Sequence, residues 1–380
     1  MLRVLHVVPS INLKQGGPSR SVLALVDTLR NVPGLQISLA TANATKPVEH
    51  PLEITTRWSL LTNASKRLLK DAIQQADIIE LHSIWNGVIS FAAKTARRCN
   101  KPYIITPRGM LDPYCLRTRG WLKQIAAALG EEKNIGGACG FHLLSEEEKQ
   151  GLLEVRPYLK DRELIVCPNG VDPLTDEVPS GVLYARYPET KNRKVVLFLG
   201  RLDEIKGLEL PLEALSLMQP AERPMVLMVG PDWGMEARLR AVASQLGVAP
   251  WVIFGGAVYS NERFGLLREA DVVASTSFYE CNSVSATEAF MVGGVVLATE
   301  GTGLRAASQA GAAVVVPRTA SDFADALRNL LADDARQAML RKSGMLYAQR
   351  QLAWNRLVTP LVEMYHRLAK RTSGETPCPK

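Results

Sequence analysis

The longest apolar runs of this chain fall well short of the ~18 residues that span a bilayer. Its start, MLRVLHVVPS, offers only a short apolar stretch before Pro9. That is too little for the core of a signal peptide, so the expectation is a first buried strand in a cytoplasmic protein. The six cysteines include no CxxC pair, and there is no HExxH among the five scattered histidines. Their spacing suits neither a zinc site nor a disulfide framework, which leaves scattered reduced thiols and no expected metal. The loop after the first strand, KQGGPSRSV, is not GxGxxG, which counts against a nicotinamide oxidoreductase. No recognised nucleic-acid motif occurs, so nucleic acid is not expected as a partner.

What is present describes a core-forming chain. Of 380 residues, 47% are apolar and 22% charged, a globular composition with enough length for two domains. The net charge of +7 is one-sided. Residues 1–170 hold 22 Lys/Arg against 15 Asp/Glu, and the remainder holds 23 of each. The N-terminal half therefore carries the whole excess, which suits an anionic partner such as a membrane surface or a phosphorylated substrate.

Apolar runs bounded by turn residues alternate with amphipathic stretches. In the first half these runs are VLHVV (4–8), QISLA (36–40), IIELH (78–82), YIITP (103–107) and FHLL (141–144). The pattern then restarts with KVVLFLG (194–200), PMVLMVG (224–230), WVIFGG (251–256), DVVAST (271–276), GVVLAT (294–299) and AAVVVP (312–317). Unalternating strands separated by helices predict parallel sheets covered on both faces. The fold class is α/β, with two Rossmann-like doubly wound domains. The seam is drawn in the turn-rich CPNGVDP, giving domains 1–167 and 168–353. The polar tail 371–380, with two prolines, is expected to be disordered.

In such sheets ligands bind beyond the carboxyl ends of the strands, and the chemistry-bearing residues lie there. Gly16 and Gly17 precede a helix start, where free N–H groups and close backbone approach suit an anion. Arg201 and Lys206 flank the loop after VVLFLG, and two cations beside a helix N-terminus suit a diphosphate. FYECNSVSATEAF carries Glu280 in a loop and Glu288 in a helix that opens at Asn282, Ser283 and Val284. Carboxylates there can accept hydrogen bonds from sugar hydroxyls, while the helix N–H groups take the anion.

In order, PNGVD, GRLDEIKG, WVIFGG and the E-x7-E of 280–288, with HSIWN and TPRGM upstream, resemble the family-4 retaining glycosyltransferases of the GT-B fold over essentially the whole chain. The resemblance implies two Rossmann-like domains facing across a cleft. The N-terminal one would bind the acceptor, with a C-terminal helix at 354–370 packing back on it. The other would bind the nucleotide sugar. The resemblance further implies a metal-independent transfer with retention, in bacterial polysaccharide or glycolipid biosynthesis, with no cofactor beyond the nucleotide-sugar substrate. Arg201 and Lys206 fall on the diphosphate cations, Glu288 on the ribose acid and Glu280 on the acid near the donor sugar. Phe254 falls where the base is held, Gly16 and Gly17 on the donor-phosphate loop, and His82 beside the transferred sugar. Asn169 lies in the interdomain turn. Arg108 replaces a frequent histidine on the acceptor or phosphate side. The sequence departs from the family at Cys281, Asn282 and Ser283, which puts the fit to a particular sugar in doubt. The basic, apolar stretch 108–130 suits contact with the inner face of a membrane and a sugar or lipid-linked acceptor. A catalytically inactive nucleotide-sugar-binding module is the alternative.

Overall fold

A computed structural model describes residues 1–11, 17–42, 52–53, 56–57, 60–117, 130–171, 177–258 and 260–373. The chain forms two compact units, Met1–Gly170 with Trp354–Lys380, and Val171–Ala353. The division falls three residues beyond the seam drawn from CPNGVDP.

In the first unit the strands are β1 (Leu2–Ser10), β2 (Leu35–Ala42), β3 (Leu52–Glu53), β4 (Thr56–Arg57), β5 (Leu60–Leu61), β6 (Ile78–His82), β7 (Tyr103–Thr106), β8 (Gly140–Leu143) and β9 (Glu163–Val166). Seven form a parallel sheet in the order β3-β2-β1-β6-β7-β8-β9, and β4 and β5 form a small antiparallel pair. The second unit holds β10 (Val195–Leu199), β11 (Met225–Val229), β12 (Val252–Gly256), β13 (Val272–Ser275), β14 (Val296–Thr299) and β15 (Ala313–Val316). Their order is β12-β11-β10-β13-β14-β15, again parallel. Both sheets therefore reverse their winding direction once, between β1 and β6 and between β10 and β13. A crevice opens at such a switch point because the flanking connections run to opposite faces.

The helices follow local rules. Thr62 caps the helix Asn63–Gln75 by accepting from Ser65 N, and the buried Ser65, Leu69 and Ile73 recur every four residues along one face. Asn86 caps Gly87–Arg98 through Val88 N, and that helix ends on Arg97 and Arg98, where cations offset the helix dipole. The helix Trp354–Ser373 buries Trp354, Val358, Leu361, Met364, Tyr365 and Leu368 with Val4, Ile78 and Ile104 of the first sheet. It runs to Ser373, so the stretch expected to be disordered is helical in its first three residues. Residues 374–380 lie outside the described residues. Cys99, Cys115, Cys167 and Cys281 are free.

Side chains of a strand alternate between faces, and here one face changes character along its length. Val4, Ile78 and Ile104 pack apolar against the C-terminal helix. Two residues further along the same strands come His6, Glu80 and Thr106, joined by His82 and by His142 on β8, all at most 1% exposed. Glu80 is the centre of this polar layer. Its Oε1 accepts from Thr106 Oγ1 at 2.6 Å and pairs with His142 Nδ1 at 2.8 Å. The Tyr365 hydroxyl, from the C-terminal helix, donates to Oε2. His142 Nε2 in turn donates to the carbonyl of Cys167 at 2.8 Å.

Burial alone would push the Glu80 carboxyl up, but the surrounding rings of His82, His142 and His6, with the His142 hydrogen bond, hold it well below its ordinary value. Burial would likewise strip the His142 proton, yet the Glu80 charge and the bonds to Cys167 and Glu80 raise it to about 10. Glu80 and His142 are therefore a carboxylate and an imidazolium. Burial holds His6 and His82 low against the pull of Glu80, and both rings are neutral.

These shifts have opposite consequences for stability. His142 is raised, so its contribution is complete below its ordinary 6.5 and disappears as pH climbs through about 10. His6 and His82 are lowered, so they oppose folding once pH drops below 6.5. Stability of the first unit should accordingly peak near neutrality, with a decline toward alkali that His142→Asn flattens. Urea midpoints measured across the pH range check this, and an alkaline decline of equal slope in the variant would refute the ion-pair assignment.

Candidate functional site

The loops that leave the two switch points hold most of the residues expected to carry chemistry. In the second unit Lys206 lies on the loop after β10. It donates to Glu280 Oε1 on the loop after β13, and Glu280 Oε2 accepts from Ser277 Oγ at 3.0 Å. The backbone joins the same loops, since Phe278 N donates to Ile205 O at 2.9 Å and Thr276 Oγ1 to Lys206 O at 3.1 Å. A third loop, after β14, accepts Glu280 N at Gly301 O, 2.7 Å away.

The turn at Gly207 needs glycine. Its φ is +57°, and a Cβ there would lie 2.6 Å from Thr276 O and 2.2 Å from Arg318 Nη2. Asp203 starts the short turn Glu204–Lys206 by accepting from Ile205 N at 3.2 Å. Arg201 Nη2 stands 3.8 Å from Asp203 Oδ2, with its guanidinium 4.2 Å from the Trp233 ring centroid. Stacking leaves the edge of an arginine fork available for a phosphate oxygen.

The helix Val284–Val292 opens at the buried Ser283. Asn282, Ser283 and Val284 thus place backbone N–H groups at a helix N-terminus on the loop that carries Glu280. Glu288 sits inside this helix, and its Oε1 accepts from Arg263 Nε at 3.2 Å, an arginine that the sequence did not single out. Phe254 lies within β12, partly buried and packed on the apolar cluster of the sheet, with the Arg240 guanidinium 4.3 Å from its ring centroid.

In the first unit, His82 ends β6 and Arg108 follows β7. His82 is fully buried. Its Nε2 lies 3.0 Å from His6 Nδ1, and its Nδ1 lies 3.5 Å from Arg108 Nη2. Arg108 Nη1 donates to Ser21 Oγ at 3.0 Å and to Asn169 Oδ1 at 3.3 Å. Arg108 is the partly exposed member of this group, and His82 the fully buried one. Gly17 begins the helix Gly17–Arg30. Gly16 lies outside the described residues, as do 118–129 of the basic stretch. Of the apolar residues in that stretch, Leu111 is buried in the core and Met110 is exposed.

The loops after β6 and β7 are strained and tied together. Ser83, Trp85 and Arg108 all have positive φ (80°, 58° and 54°), and such conformations persist only where neighbours impose them. Here Trp85 Nε1 donates to Met110 O at 3.3 Å and Ser83 N to Thr106 O at 2.8 Å. The buried Glu131 accepts from Trp85 N at 3.3 Å and from Ser90 Oγ at 2.6 Å. The buried Glu148 accepts from Gly109 N at 2.5 Å and Leu144 N at 2.6 Å. Neither acid was found from sequence. Glu131 precedes the helix Glu132–Gly136, and Glu148 follows two other acids in the first turn of Glu146–Val155, so neither stands out locally.

Comparison with known proteins follows this geometry. Residues 184–346, inside the second unit, match the family described as glycosyl transferases group 1. A D-inositol 3-phosphate glycosyltransferase from Xylanimonas cellulosilytica is 31% identical over 255 residues, 64% of this chain and 60% of that protein. One from Thermomonospora curvata is 29% identical over 318 residues, 76% of this chain and 71% of that protein. The chain thus spans less than two thirds of the Xylanimonas relative. Among solved structures, Anabaena HepE in complex with UDP and glucose has a TM-score of 0.74 at 18% identity, covering 97% of this chain and 100% of that one. Sucrose-phosphate synthase from Thermosynechococcus elongatus has a TM-score of 0.73 at 19% identity, covering 97% and 99%. The fold is therefore GT-B, and residues 184–346 of the second unit resemble the group 1 glycosyl transferases.

Proposed function

We propose that the protein transfers a sugar from a nucleotide-sugar donor to an acceptor hydroxyl, with retention at the anomeric carbon and without a metal ion. The observation that carries this reading is the set Arg201, Lys206 and Glu280, gathered with the N-terminus of Val284–Val292 at the switch point of the unit that resembles group 1. The donor diphosphate takes Lys206 from Glu280 and meets Arg201 and the helix N–H groups. Glu280, released, accepts from hydroxyls of the donor sugar, and Glu288 shares its carboxylate between Arg263 and the ribose.

The leaving group is a nucleoside diphosphate. As the glycosidic bond to it breaks, negative charge grows on its terminal oxygen. Preorganised cations stabilise that charge without reorganising during the step. The same oxygen accepts the proton of the attacking hydroxyl on the same face of the sugar, which keeps the configuration. On the first unit Arg108, held by Ser21, Asn169 and His82, takes an anionic group of the acceptor or donor. Relatives named for inositol 3-phosphate and the +7 charge of residues 1–170 support a phosphorylated or lipid-linked acceptor, in bacterial polysaccharide or glycolipid synthesis.

Lys206→Ala and Arg201→Ala should each lower kcat by about 100-fold, as for loss of one preorganised donor, and wild-type turnover should persist in EDTA. The assay is release of nucleoside diphosphate from a panel of UDP-, GDP- and ADP-sugars with acceptor extracts. Normal turnover in either variant removes the diphosphate assignment, and loss of activity in EDTA restored by Mg²⁺ removes the metal-independent one.

A peripheral membrane contact of the first unit through 108–130 should appear as co-sedimentation with anionic vesicles at low salt, since each basic residue near such a surface contributes roughly 1 kcal/mol. Salt should release it. Failure to bind anionic vesicles at low salt would make a soluble acceptor the better assignment.

A further inference from the structure

The buried layer of the first unit contains polar groups that the proposed transfer does not use directly. We infer that Glu80 is a positioning residue, anchoring a buried chain His6–His82–Arg108 that fixes the direction of the Arg108 guanidinium. The inference rests on the reading above only in taking Arg108 as the group that meets substrate.

The proton positions follow in sequence. A guanidinium can only donate. His82 Nδ1, 3.5 Å from Arg108 Nη2, is therefore the acceptor. A neutral ring that accepts at Nδ1 carries its proton on Nε2, and this N–H points to His6 Nδ1 at 3.0 Å. His6, accepting there, carries its own proton on Nε2, an atom with no hydrogen-bond partner among the described residues. The Glu80 carboxylate flanks the shared proton, with its oxygens 3.8 Å from both His82 Nε2 and His6 Nδ1. A negative charge there favours a proton between the two rings. Glu80 is itself held from three sides, by Thr106 on β7, His142 on β8 and Tyr365 on the C-terminal helix. The chain from rigid sheet to guanidinium thus contains no exposed or freely rotating member until Arg108.

The same three groups could suggest a cation site, because one ligand atom from each of His6, Glu80 and His82 lies within 4.8 Å of the others. Charge argues against it. Glu80 is already balanced by the His142 imidazolium, and three of its roughly four lone-pair positions are taken by Thr106, His142 and Tyr365. A divalent ion would expel the proton between the rings and bring uncompensated charge into a site closed to water.

The test is direct, because the full chain has only five histidines: His6, His50, His82, His142 and His366. Long-range proton–nitrogen spectra of the 15N-labelled protein, recorded without donor at neutral pH, should show His142 protonated on both nitrogens. They should also show His6 and His82 neutral and protonated on Nε2 alone. In Glu80→Gln, His142 should lose its second proton, and the His6 and His82 signals should become a mixture of tautomers. Turnover should drop about 10-fold or more, with donor affinity little changed, as for loss of a group that orients a working side chain. A proton on His82 Nδ1 in the wild type, or an unaltered His6–His82 pattern in Glu80→Gln, overturns the proposal. So does a stoichiometric shift of both rings on adding Zn²⁺.

Should Glu80→Gln not fold, Tyr365→Phe keeps the charge and removes one anchor. It must broaden the His6 and His82 signals while leaving His142 protonated, and an unchanged spectrum overturns the proposal equally. These spectra need no turnover, so failure of every sugar nucleotide as a donor would reject the transferase reading and leave this one standing.

Discussion

A single ionised carboxylate in the middle of a sheet constrains the first unit. Glu80 has no exposure to water, and a buried charge is tolerated only when paired and hydrogen-bonded. Every partner that satisfies it comes from a different element, so the requirement fixes the elements relative to each other. Thr106 sets the register of β7 against β6, His142 that of β8, and Tyr365 the depth of the C-terminal helix. His142 passes the constraint to the Cys167 carbonyl, at the end of the segment that leaves the sheet. Removing one partner of such a pair costs about 3–5 kcal/mol, whereas a matched apolar replacement can be neutral. The layer is therefore not needed for a stable sheet. It gives position: the polar groups begin where the face meets Tyr365 of the C-terminal helix and starts to underlie the strained loops that carry Arg108 and Trp85.

The second unit solves the parallel problem differently. Lys206 and Glu280 are partly exposed, at 16% and 20% of their side chains, so the pair is cheap to break. That suits groups that must exchange each other for a ligand. Glu288 and Arg263 are similarly matched, at 13% and 15%. The contrast orders the two switch points. In the first unit ionic groups are locked and only the last donor in the chain reaches outward. In the second they hold one another loosely, and they are the groups proposed to meet the donor. Pairing also keeps Lys206 and Glu280 ordered without a ligand, so less freedom is lost when one binds.

The sequence made the strands legible and most of the polar geometry illegible. IIELH and DVVAST read correctly because parallel strands buried on both faces are short apolar runs between turns. β9 escaped because an edge strand of four half-buried residues beginning with Glu163 lacks that contrast, and β3, β4 and β5 are two residues each. Lys206 and Glu280, 74 positions apart, were joined through family spacing, and the structure brings them into contact. Phe254 was assigned through the family resemblance, and its ring is partly buried against the core cluster under Arg240. The Glu80 layer joins residues 6, 80, 82, 106, 142 and 365, and no periodicity links such distant positions. Its one local trace was an acid inside IIELH. A lone carboxylate in a strand with no polar face must either be paired or reject its charge, so that acid was the position to question.

The same logic applies to His82. A histidine at a strand end beside a switch point looks like a group delivered to a ligand. Both of its nitrogens are instead committed, one to His6 and one to Arg108, and its ring has no exposed surface. What reaches outward is the arginine, in a left-handed conformation that Glu148 stabilises through the next residue's N–H. An arginine presents a planar fork and stays charged at any working pH, whereas a histidine presents one donor and titrates near neutrality. With the histidine buried as a support and the arginine in front, the first unit offers a permanent cation whose direction is set from inside the sheet.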